Sequence, residues 1–231
     1  MFIYGDSYEV LKDIEDNSVD LVLTDPPYDM KKYSTGNIKL PNRKALNNDI
    51  AYWNDGFDAR GVIEDLIRVL KPNGNMFIFA SYHYVGIWHK LLDDRFDTFQ
   101  FFVWHKTNPP PKIFKNGFLN SCELVICAWN KGHKWNFSNQ REMHNFFESP
   151  ICMGKERLKH PTQKPLKLIE HIINIASNEG DVVLDPFAGV ATTYIASLKN
   201  NRKAICIEKD ENYYEMGVKR IITILMSLLS D

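Results

Sequence analysis

Short apolar runs with strand character recur along the chain, at Phe2–Asp6, Val19–Leu23, Asn75–Ala80, Phe99–Trp104, Cys122–Trp129, Asp181–Asp185 and Ala204–Glu208. Successive rather than alternate apolar positions mark strands covered on both faces. Between them the period changes to that of a helix. Val10, Leu11 and Ile14 share one face of a segment from Ser7 to about Asp16, with Ser7 as its cap. Val62, Ile63, Leu66, Ile67, Val69 and Leu70 do so over Phe57–Leu70, which Lys71-Pro72-Asn73-Gly74 should end. Further helices are expected over Val85–Asp93, after Pro165 with Leu166, Ile169, Ile172 and Ile173 inward, and from about Glu211. Seven strands mostly alternating with helices predict an α/β fold with a mostly parallel sheet.

Two stretches break the pattern. Asp29 to Gly56 is polar, tilts basic and lacks periodicity, which suits a mobile loop beside a site. Asn130 to about Arg157 interleaves Trp135, Phe137, Phe146 and Phe147 with basic and amide residues, a mixture that fits a nucleic-acid surface or a small satellite core.

The chain has 231 residues, enough for one large α/β domain with an insertion. No run is long and apolar enough to span a bilayer, and the first residues lack signal-peptide character, so a cytoplasmic protein is expected. Net charge is −1, which gives no bulk attraction for polyanions. The distribution changes that picture. Lys131 to Glu170 holds eight Lys and Arg against four Glu, and His105 to Gly117 holds three lysines and no acid. The four cysteines form no CxxC pair. Cys122, Cys127, Cys152 and His133 match no common zinc spacing, so no metal is expected.

The chemistry centres on Asp25-Pro26-Pro27-Tyr28, which follows the buried run Val19–Leu23. In an open parallel sheet ligands bind just past the carboxyl ends of such strands. Two prolines stiffen the corner and remove two N–H donors, leaving a carboxylate, an aimed carbonyl and an aromatic face. That set suits an amino group on a flat ring. Downstream, Asp185-Pro186-Phe187-Ala188-Gly189 follows another strand, and Glu208 closes the next one about twenty residues on, where a carboxylate can take ribose hydroxyls.

Asp25-Pro26-Pro27-Tyr28 resembles the catalytic motif of the DNA amino-methyltransferases, and Asp185 to Thr193 resembles their cofactor loop. His160-Pro161-Thr162-Gln163-Lys164-Pro165 resembles the motif just upstream of that loop. Catalytic motif first and cofactor loop last is the permuted order of the beta group. The resemblance covers nearly the whole chain. It implies a Rossmann-like methyltransferase fold, with residues 1–130 as the catalytic part, including a mobile loop at 29–56. Residues 131–159 would be a target-recognition insertion and 160–231 the cofactor-binding part. It implies S-adenosylmethionine as cofactor, double-stranded DNA as substrate, a homodimer as a candidate assembly, and transfer to N6 of a flipped adenine in a prokaryotic or phage-encoded, nucleoid-associated enzyme. Asp25, Pro26, Pro27 and Tyr28 would be catalytic. Asp6, Lys164, Asp185, Phe187, Gly189, Thr192 and Glu208 would bind cofactor. Lys31, Lys32, Lys106, Lys131, Lys134 and Lys155 would face DNA. Trp104 would border the target base or else belong to the core.

Alternatives stay open. A cytosine-N4 enzyme would use the same corner, although its motif often begins with serine. RNA or protein-amide methylation is another, the amide relatives usually beginning with asparagine. A decayed DNA-binding module without activity is a third. This chain departs from the family pattern at Ala191, in place of a usual second glycine, and at Val190, in place of a small polar residue. Both bear on cofactor affinity.

Overall fold

The computed structural model describes residues 1–27, 37–38, 46–47, 57–112 and 115–228. In chain order the elements are β1 (Phe2–Tyr4), α1 (Ser7–Val10), β2 (Val19–Thr24), β3 (Asn37–Ile38), β4 (Leu46–Asn47), α2 (Ala59–Val69), β5 (Leu70–Ala80) and α3 (Val85–Leu92). Then follow β6 (Thr98–Lys106), β7 (Cys122–Trp129), β8 (Phe146–Ser149), α4 (Leu166–Ala176), β9 (Val182–Asp185), α5 (Thr192–Lys199), β10 (Lys203–Glu208) and α6 (Glu211–Leu228).

Eight strands form one sheet in the order β1, β10, β9, β2, β5, β7, β6, β8. Only β7 runs against the rest, antiparallel to both β5 and β6. Alternation along the strands sorts the core into two layers. Val22, Met76, Ile78, Ile126 and Leu184 face α2 and α3 with Leu66 and Trp88. Leu21, Leu23, Phe77, Phe79, Val125 and Val183 face the other way, onto Leu168, Ile169, Ile172 and Ile173 of α4. The buried runs are continuous because both faces are covered.

Three features differ from the expected elements. Seven strands were expected and the sheet has eight. The extra one, β8, comes from the irregular stretch after Asn130 and pairs in parallel with β6, Trp104 opposite Phe147. Next, Lys71 to Gly74 do not separate a helix from a strand; they bulge within β5, because Val19 pairs with Leu70 while Leu21 pairs with Asn75. Finally, α1 is one turn followed by a 3-10 turn at Leu11–Asp13, and its cap is Asp6, whose side chain accepts from the Tyr8 amide at 3.0 Å. The Ser7 hydroxyl instead donates to the carbonyl of Pro186, tying α1 to the turn after β9.

Within the expected mobile loop at 29–56 only the short antiparallel pair of β3 and β4 is described. Tyr28, Lys31 and Lys32 lie outside the described residues.

Candidate active site at the carboxyl edge of the sheet

Parallel strands deliver their carboxyl ends to one edge. Here that edge collects Asp6 after β1, Asp25 after β2, Asp185 on β9 and Glu208 on β10. Glu123 joins them because β7 is reversed and its start lies where its neighbours end.

Asp25 is mostly buried, its side chain 18% exposed, and its Oδ2 accepts from the Lys164 ammonium. Lys164 lies 3.3 Å from Glu123, 3.4 Å from the Thr162 carbonyl and 4.8 Å above the Phe79 ring. Glu123 in turn lies 2.6 Å from Lys106. Burial alone would neutralise these groups, but opposite charges outweigh it. Lys164 titrates above the ordinary lysine range because of Asp25 and Glu123, and Glu123 below the carboxylate range because of Lys164 and Lys106.

Asp185 is 4% exposed and turned inward. Its oxygens accept from the Thr24 hydroxyl at 2.8 Å, the Thr193 hydroxyl at 2.6 Å and the Phe187 amide at 3.1 Å. It therefore ties the cofactor-type loop to the end of β2 and shapes that loop from behind. Burial pushes its pKa up to about 6. Glu208 accepts from the Gly189 amide and the Asp210 amide, both at 2.7 Å, and burial pushes it up to about 7. Asp6 accepts from Lys209 at 2.6 Å, one strand over from Glu208. Phe187 stands edge-on to Phe57, ring centres 5.5 Å apart, as an aromatic wall. Two carboxylates one strand apart beside that wall fit a ribosyl group carrying a flat base and a charged amine.

The loop from Gly189 to Thr192 takes positive φ at Gly189 (52°) and at Ala191 (63°). Alanine in the left-handed region is strained by about 1–2 kcal/mol. Arg220 of α6 brackets it, donating to the Val190 carbonyl at 3.1 Å and the Thr192 hydroxyl at 2.9 Å. Thr192 is thereby engaged inside the protein.

His160 packs on Tyr213 with ring centres 4.5 Å apart and lies so close to Gly189 that a Cβ there would meet Nε2 at 2.9 Å. Burial lowers its pKa to about 4. Gln163 donates to the Glu156 carbonyl and accepts from the Leu158 amide, both at 2.8 Å. Lys164 reaches Asp25. One short segment thus fixes the loop at Gly189, the 152–158 loop and the Asp25 corner.

Several expected residues stand elsewhere. Lys164, expected on cofactor, is placed against Asp25. Lys134 stands apart from Asp25: its ammonium is 2.8 Å from Asp20 and 2.6 Å from Asp181, at the amino edge of the sheet. Lys131 lies at that edge too, its amide bonded to Asp97. The strands separate these lysines from Asp25 by about 15–20 Å. Lys106 is paired with Glu123, and Lys155 is exposed on the 3-10 turn at Gly154–Glu156 near the carboxyl edge. Trp104, expected to border a base, is 1% exposed and donates to Ser149 at 2.9 Å. Glu123, Arg220 and Thr24 were not anticipated. Glu123 left one signal, an acid opening an otherwise apolar strand. Among the described residues no group of three or more His, Cys, Asp or Glu is arranged to hold a metal.

A family model described as DNA methylase, N6_N4_Mtase, matches residues 19–219. The type II methyltransferase M2.DpnII of Streptococcus pneumoniae is 29% identical over 241 residues, covering 96% of this chain and 89% of the relative. M2.LlaDCHI of Lactococcus lactis subsp. cremoris is 28% identical over 243 residues, covering 96% and 88%. The crystal structure of the M1.HpyAVI–SAM complex superposes with a TM-score of 0.72 at 30% identity, over 95% of this chain and 98% of that one. The cytosine-N4-specific PvuII DNA methyltransferase gives 0.71 at 19% identity, over 94% and 84%, a likeness of fold.

Proposed function

The chain belongs to the N6 and N4 DNA methylase family and is an S-adenosylmethionine-dependent DNA methyltransferase, and from that premise we propose that it methylates N6 of adenine within a short site in duplex DNA. The observation that carries the adenine reading is Asp25, held at the carboxyl end of β2 ahead of the rigid Pro26-Pro27.

An adenine inside a duplex presents N6 edge-on, so the base must be flipped into the pocket. Asp25 and the Pro26 carbonyl accept the two N6 hydrogens, and Tyr28 stacks on the ring. Holding those hydrogens reduces conjugation of the nitrogen pair with the ring, and alignment lowers the barrier further. When bound, S-adenosylmethionine would supply an electrophilic methyl to the nitrogen pair, and the proton that nitrogen then loses would pass to Asp25 and on to water. Asp25 stabilises the positive charge that grows on nitrogen. Glu208 and Asp6 would hold the ribosyl and adenine end of the cofactor and Phe187 its flat ring, while Asp185 and Thr192 hold the loop that carries Gly189.

DNA is proposed to lie across the carboxyl edge, where two loops are joined. The Thr107 amide donates to the Ser149 carbonyl at 3.1 Å, and Asn108 accepts from the Ile151 amide at 2.8 Å. Around them Lys112, Lys115, Lys155, Arg157 and Lys159 are exposed, with Phe118 96% exposed. Lysines there would hold phosphates and make affinity fall steeply with salt. No helix among the described residues is long and apolar enough to cross a membrane. A DNA substrate supports work in the cytoplasm beside the nucleoid.

DNA from cells expressing the protein is hydrolysed and read by mass spectrometry beside an Asp25→Ala control. N6-methyladenine in the first and none in the second is expected. N4-methylcytosine alone would favour the cytosine reading, and no modified base with cofactor and DNA both bound would favour a non-catalytic module.

A further inference from the structure

We infer that Lys164 is a positioning residue for Asp25, the charged link through which Glu123 and Lys106 hold the catalytic carboxylate; the inference rests on the proposed role of Asp25 in methyl transfer. The four side chains alternate in sign across four parts of the fold. Asp25 follows β2, Lys164 precedes α4, Glu123 opens β7 and Lys106 ends β6. Together they sum to zero charge.

Prolines 26 and 27 fix the backbone after Asp25 but not its own side-chain torsions. An ammonium on Oδ2 removes that freedom. Lys164 is itself immobile, 7% exposed and over the Phe79 ring. Of the three N–H bonds of the ammonium, Asp25 and the Thr162 carbonyl accept two, and Glu123 adds an ion pair at 3.3 Å. The position expected from motif likeness to touch cofactor is committed to the acid of the catalytic corner instead.

The charges facing Asp25 give the inference a sign. Lys164 attracts it directly. Glu123 on β7 and Asp185 on β9 repel it, and Lys106 on β6 is farther along the chain of charges. His160 beside Lys164 is neutral near pH 7. Removing the Lys164 charge should make Asp25 harder to ionise, and removing the Glu123 charge should make it easier.

The test follows the titration of the Asp25 carboxyl carbon by 13C NMR, assigned by its loss in Asp25→Asn, together with methyl-transfer kinetics and calorimetric titration of S-adenosylmethionine. Lys164→Met should move the Asp25 titration up by about one pH unit or more, and Glu123→Gln should move it down. Turnover of Lys164→Met should fall about 100-fold or more, and cofactor affinity should change less than about threefold. Lys164→Arg should regain at least about tenfold of that turnover and leave the titration near wild type. An Asp25 titration unmoved in both variants overturns the inference, as does cofactor affinity lost in step with turnover. If Lys164→Met does not fold, the downward shift in Glu123→Gln and the rescue level of Lys164→Arg decide. A wild type that methylates no DNA would count against the proposed function, while the NMR titration still reports whether Lys164 holds Asp25.

Discussion

Lys134→Met separates two jobs for one lysine, a structural tie and a DNA contact. The ammonium lies 2.8 Å from Asp20 and 2.6 Å from Asp181, and the side chains are 23%, 2% and 12% exposed. A hydrogen bond to a charged group contributes about 1.5–3 kcal/mol, so two set an upper range of about 3–6. Asp20 keeps Lys71 at 2.8 Å and the Val182 amide at 2.9 Å, so its charge is not orphaned. Methionine keeps most of the apolar stem, and the ammonium is partly solvated. The expected loss is therefore about 2–3 kcal/mol in urea denaturation. Burial would raise the Asp20 pKa, but Lys134 and Lys71 outweigh it and hold it below the usual carboxylate range. A depressed folded-state pKa contributes stability that is present above the unfolded value of about 3.9 and lost as pH falls through the folded one. The gap between wild type and variant should thus narrow below about pH 4. In DNA binding, the plot of log K against log salt should keep its slope, whereas a lost phosphate contact would reduce it by about 1. A slope reduced by about 1 with stability unchanged would refute the reasoning.

Glu208, with its pKa near 7, must be ionised to accept two ribose hydroxyls, so cofactor affinity should be about tenfold weaker at pH 6 than at pH 8. Calorimetry across that range checks it; a flat profile would count against a carboxylate contact. Because Glu208 and Asp185 have raised folded-state values, the cofactor-free protein should lose stability as pH rises from about 4.5 through 7, visible as a falling Tm. Ala191→Gly trades relief of about 1–2 kcal/mol of strain against a buried methyl of about 0.8 and glycine entropy of about 0.5–1, so stability should stay within about 1 kcal/mol. Ala191→Val puts a stiff branched side chain at positive φ, at a fully buried position packed so near α6 that a Cβ added at Gly217 would come within 3.2 Å of the alanine methyl. It should cost about 2 kcal/mol or more, and a wild-type Tm would contradict the backbone reading.

The central strands were legible because burial on both faces leaves unbroken apolar runs, as at Val19–Leu23. β8 was not: Phe146 to Ser149 is four residues long at the sheet edge, with Phe146 exposed and Ser149 buried, and carries no period. The acids at the strand ends were legible from position, since a strand followed by an acid and a tight turn marks the carboxyl edge. What each acid holds was not. Lys164 and Asp25 are 139 positions apart, and no local pattern predicts such a pairing. Lys131 and Lys134 show why a basic run alone is a poor guide. Their charge was visible in the sequence, but their edge of the sheet depended on the reversed direction of β7.

The pairing of β8 with β6 has a consequence for anyone wishing to retarget this protein by grafting. A wholesale transplant of the stretch between β7 and α4 would strip the outermost strand and take with it Ser149, the partner of the Trp104 indole. The bared rim of β6 would then offer its unpaired amides and carbonyls to other chains, an invitation to aggregate that soluble yield would report. Exchanges confined to 107–121, between β6 and β7, and to 150–158, after β8, spare that rim.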